Sequence, residues 1–82
     1  MVILEEPSLE RLGEMIGCTI AAVDTGRRYR VGTVFETGYR SDWAGSTRRP
    51  GYWAGTMVIW DMGPIEGGEY QIFESLPLGE RI

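Results

Sequence analysis

The chain has no histidine, no lysine and no asparagine, and its single cysteine is Cys18. Without histidine it lacks the commonest general base near neutral pH, the commonest metal ligand and every Ser-His or Cys-His dyad. One cysteine excludes an intramolecular disulfide, and the His/Cys ligand count excludes a structural zinc site. No metal and no cofactor are expected. Cys18 reads as a small apolar core residue, since Thr19 to Val23 offers no basic group that would activate a thiol. No stretch approaches the roughly 20 apolar residues of a membrane span. Met1–Leu4 is too short, and too poor in basic residues, for a secretory signal. A cytoplasmic protein with no membrane partner is the expectation.

What is present fits one small domain. Eighty-two residues with 43% hydrophobic and 24% charged side chains are ordinary globular values. A chain of this length buries only roughly 60% of the surface that its unfolded form exposes, so its stability is modest or is completed by a partner. The nine aromatics (three Trp, four Tyr, two Phe) are many for this length and carry much of the available core.

Pro7-Ser8 opens the first element. Ser8 is a candidate N-cap, Glu10 sits in the first turn, and Leu9, Leu12 and Ile16 recur at helical spacing, which predicts a helix over about 8–16. Gly17 is its stop, and Gly13 weakens it by about 1 kcal/mol relative to Ala. From Cys18 the period changes to that of a strand, over about 18–24. Asp24-Thr25-Gly26-Arg27 has turn chemistry. A second strand follows over about 29–37, with Tyr29, Val31, Thr33 and Phe35 on one face and Arg30, Gly32, Val34 and Glu36 on the other. Residues 38–54 show no clean period and read as a long loop. Further strands are expected over about 55–61 and 69–73, separated by a wide Gly/Pro turn, with Leu76-Pro77-Leu78 as a short fifth edge. The expected class is mainly β with a minor helical part (α+β minor). One short N-terminal helix is followed by four to five short antiparallel strands, in two hairpins that form a small SH3- or Tudor-like partly open barrel or a curled sheet.

The loop is the segment richest in recognition chemistry. Residues 39–53 hold three of the eight arginines and four of the nine aromatics. Long loops without internal structure are often functional, and Arg, Trp and Tyr are enriched at binding hot spots. Arg40, Trp43, Arg48, Arg49, Tyr52 and Trp53 are therefore the candidate partner-binding residues. The competing expectation is that Trp43, Tyr52 and Trp53 fold inward as a satellite core. Aromatics beside arginines also suit single-stranded nucleic acid, with Arg27, Arg28 and Arg30 as added phosphate contacts. The net charge of −4 works against that target.

The acids give less. Asp61, Glu66 and Glu69 flank the wide turn, but their spacing matches no calcium loop, and a solvated turn is expected. Glu5-Glu6 suits the approach to a helix N-terminus. Glu66-Gly67-Gly68-Glu69 carries acid where a phosphate cradle needs Lys and Ser or Thr. The sequence thus points to a non-enzymatic interaction protein, of the accessory or inhibitor kind used by phages and mobile elements, which masks a protein partner through the Arg/aromatic loop. Single-stranded nucleic acid or nucleotide binding through the same loop is the alternative. A third is a subunit of a homodimer or larger assembly.

Overall fold

A computed structural model describes residues 2–33 and 51–81. Among these, the elements run β1 (Ile3–Leu4), α1 (Leu9–Gly13), β2 (Thr19–Ala22), β3 (Arg27–Thr33), β4 (Gly51–Ala54), β5 (Met57–Pro64) and β6 (Gln71–Phe73). The protein is mainly β. The described strands form one six-stranded mixed sheet in the order β1-β6-β2-β3-β5-β4, and among the described residues its two ends do not meet to close it.

The helix is the second element, behind a strand, and it is shorter than its apolar spacing suggested. Ser8 caps it as expected, its hydroxyl accepting from the Arg11 N–H at 3.1 Å. The helical run ends at Gly13, where the chain tightens: the Glu14 and Met15 amides donate to the Arg11 and Leu12 carbonyls, three residues back. Gly17, at φ 90°, then turns the chain into β2.

The first hairpin is present, with β2 and β3 antiparallel (Ile20 opposite Tyr29) and Gly26 at φ 66° in the turn. The second hairpin differs from expectation. Gly51–Ala54, the end of the segment read as loop, is a strand, and it pairs with β5 rather than β5 pairing with β6. The turn between them is Gly55-Thr56, within the span where periodicity predicts a strand. β5 in turn continues through Met62, Gly63 and Pro64 into the expected wide turn. The third departure is topological. β6 runs parallel to both β2 and β1, so the strands are not all antiparallel. Leu76-Pro77-Leu78 forms no strand; Leu76 closes the core instead.

Strand alternation puts Tyr29 and Val31 of β3 opposite Asp61 and Ile59 of β5, on one face of the sheet. That face meets Leu12 and Met15 from the helical corner, Ile20 and Ala22 from β2, and Phe73 and Leu76 from the end of the chain. Tyr29, Leu12, Ile20, Ile59 and Val31 are fully buried. Each such aliphatic side chain contributes about 1.5–3 kcal/mol over its exposed state. This core holds a five-residue helix that would not persist alone. No helix among the described residues is long and apolar enough to cross a membrane.

Candidate interaction surface

Arg40, Trp43, Arg48 and Arg49 lie outside the described residues. Tyr52 and Trp53 lie on β4, where alternation points them to opposite faces. Tyr52 packs on the core, its ring edge-on to Tyr29 with centroids 6.3 Å apart and planes at 81°. The backbone of Trp53 holds the end of the chain: its N–H donates to the Glu80 carbonyl at 2.9 Å and its carbonyl accepts from Gly79 at 2.6 Å. An antiparallel bridge between Tyr52 and Arg81 completes this cover, so the β4 edge of the sheet is occupied.

The arginines of β3 divide between the faces. Arg27 lies on the Tyr29 side, where its Nε donates to Asp61 Oδ2 at 2.6 Å. Asp61 is only 6% exposed, and its other oxygen accepts from the Gly63 N–H at 2.8 Å. The carboxylate holds the Arg27 guanidinium above its ordinary pKa, first through this hydrogen bond and then through its charge. Nearby, burial pushes the Tyr29 phenol up, while its hydrogen bond to Thr25 Oγ1 at 2.9 Å pulls the other way. Arg28 and Arg30 belong to the opposite face. Arg28 pairs with Glu66 at 3.1 Å, which places the connection between β5 and β6 beside it. Arg27 and Arg28 are thus each matched by a carboxylate, and the three arginines do not share one face.

The same contacts separate the acids that flank the wide turn. Asp61 is a buried strand residue bound to Arg27, and Glu66 answers Arg28. Among the described residues, no three His, Cys, Asp or Glu side chains gather where a metal ion would be held. Cys18 departs from expectation too: it is exposed rather than part of the core, because β2 begins only at Thr19.

The surface that sequence reasoning passed over is the other edge of the sheet. β1 is the terminal strand, and Val2, Ile3 and Leu4 are 75%, 51% and 37% exposed. Val2 and Leu4 line a groove of about 450 Å³ together with Tyr70 and Ile72. A second groove of about 470 Å³ lies across Tyr70 and Gln71, bounded by Met15, Cys18 and Ile20. Glu69 borders both grooves. The signal in the sequence is the apolar run Val2-Ile3-Leu4, too short to show a period of its own.

The backbone of this edge has a definite polarity. The Leu4 carbonyl accepts from the Glu74 N–H at 2.7 Å, on the β6 side. Successive residues of a strand turn their backbone groups to opposite sides, so the Ile3 N–H and C=O face away from β6. Among the described residues no strand lies on that side. Comparison of the chain with protein-family models, with curated proteins and with solved structures finds no match.

Proposed function

We propose that this chain is a non-enzymatic interaction protein that binds and masks a protein partner. The observation that carries the reading is the exposed apolar strand edge, Val2-Ile3-Leu4, beside the groove that Val2 and Leu4 line with Tyr70. Small proteins usually protect such an edge with a bulge, a lysine or a covering segment, because it is a template for another chain. An uncovered apolar patch rimmed by polar side chains is the ordinary form of a protein-binding surface. The Arg/aromatic segment that includes Arg40, Trp43, Arg48 and Arg49 belongs to the same proposal as a further contact. An SH3- or Tudor-like curl of the sheet belongs to it as well, although the reading needs only the open edge.

Nucleic acid is the weaker reading. Two of its three candidate phosphate contacts on β3 are already neutralised by Asp61 and Glu66, and the net charge is −4. Phosphate binding draws its strength from cations that are free to replace counterions.

A tagged pull-down from lysate of the cells that make the protein, with and without nuclease, tests the proposal. It compares the wild type with Ile3→Glu and with Arg48→Glu/Arg49→Glu. The expected result is a protein band that survives nuclease and is lost in at least one variant. Nuclease-sensitive material absorbing at 260 nm would replace this reading with nucleic-acid binding.

A further inference from the structure

Resting on that reading, we infer that β1 takes its partner by strand addition, and that the partner segment is extended, apolar in alternation and basic at its ends. The hydrogen-bonding part follows from the outward N–H and C=O of Ile3, which offer one donor and one acceptor to an added strand. Side chains supply the rest. In a pleated pair, alternate residues of the added strand fall on opposite faces of the sheet. On one face they lie beside Val2 and Leu4, which border the groove with Tyr70; on the other they lie beside Ile3.

Charge selects the occupant. Glu5 and Glu6 follow β1 directly and are exposed. Glu74 follows β6, with its amide on Leu4, and exposed Glu69 precedes β6 and borders the groove. Both ends of the edge are therefore acidic. Among the described residues, the neighbouring cation Arg11 is engaged with Glu14 at 3.0 Å and with Gln71. A segment with Lys or Arg at its ends meets opposite charge at both ends of β1, and such complementarity raises the association rate and sets the register. A second copy of this chain brings a net charge of −4 and its own Glu5 and Glu6 to an already acidic rim, so the same charges oppose self-pairing.

The test uses the whole protein and fluorescently labelled peptides of alternating valine and threonine, ended at both sides by arginines or by glutamates. Fluorescence anisotropy reads binding. The arginine-ended peptide binds the wild type more tightly than the glutamate-ended one, and the gap narrows as salt rises. Ile3→Pro removes the outward N–H while leaving the Leu4 bonds to β6, and it weakens binding roughly tenfold or more. Circular dichroism checks that this variant folds. Glu5→Arg/Glu6→Arg changes only exposed side chains and abolishes or inverts the preference between the two peptides. Equal binding of both peptides, or full binding by folded Ile3→Pro, overturns the inference. So does an Ile3-dependent dimer in light scattering. The pull-down separates this failure from that of the parent reading. A nuclease-resistant partner held equally by Ile3→Pro refutes strand addition alone, whereas no captured protein refutes both.

Discussion

Removing the Asp61 carboxylate is the most informative stability experiment, because one buried side chain there fixes two things at once. Asp61 Oδ1 accepts from the Gly63 N–H at 2.8 Å, and Oδ2 accepts from Arg27 at 2.6 Å. Between these anchors the pairing of β3 with β5 shifts register, at the irregularity beside Arg28 and Tyr29. Gly63, at φ 107°, lies opposite Arg28 at this shift. Asp61 therefore pins the bulge that lets β5 run on to Pro64. The Arg27 guanidinium is open to solvent, so water replaces much of what it gives the carboxylate when it is removed. The Gly63 half is the one that matters, since a half-buried amide without an acceptor carries a desolvation cost of about 1–3 kcal/mol. Asp61→Ala should therefore destabilise by about 2 kcal/mol once the lost local order is included. For a domain of this size that lowers Tm by roughly 8–16 °C. Asp61→Asn keeps an acceptor for Gly63 and should cost less than half as much. Arg27→Ala should have the smallest effect of the three. Thermal and urea unfolding of the three variants, followed by circular dichroism, gives the order directly. If Arg27→Ala matches Asp61→Ala, the ion pair and not the amide bond holds the bulge, and this reasoning fails.

Ser8→Ala should cost about 1 kcal/mol in urea unfolding, because the Arg11 N–H loses its cap. Gly79→Ala should open the cover of the β4 edge, since an added Cβ would lie 2.7 Å from the Trp53 carbonyl oxygen. Faster amide exchange at Trp53 with an unchanged core would show it. The raised pKa of the Tyr29 phenol means that the native state favours the neutral form, so its contribution is complete below the ordinary tyrosine value of about 10 and is lost as pH rises through the raised native value. Unfolding free energies measured at pH 8 and pH 11 should fall more steeply for the wild type than for Tyr29→Phe. At pH 8 that variant is itself weaker by about 1 kcal/mol, because its bond to Thr25 is gone.

Local chemistry made part of this fold legible from sequence. Ser8 read as a cap, Gly26 as a hairpin turn, and the alternation through Tyr29, Val31 and their neighbours as a half-buried strand, because each depends on residues within a few positions. Pairing between distant strands left no such mark. Nothing in Gln71-Ile72-Phe73 says that it lies parallel between β1 and β2, since a parallel neighbour is chosen by the crossover that precedes it. A two-residue strand such as Ile3–Leu4 is too short to show any period, and it exists because β6 offers a ladder. Tyr52 and Trp53 looked alike in the sequence. Only β4 separates them, one ring against Tyr29 and the other on the opposite face. The charge matching of Arg27 by Asp61 was equally hidden, because it spans 34 positions of the chain.

Amide hydrogen exchange at Ile3, in the free protein and in the complex recovered by the pull-down, reads strand addition to β1 directly. Its N–H faces outward from a sheet edge, so it should exchange quickly in the free chain and become strongly protected when the partner strand is added. Unchanged, fast exchange at Ile3 in a saturated complex would rule out strand addition to β1 and move the contact to another surface.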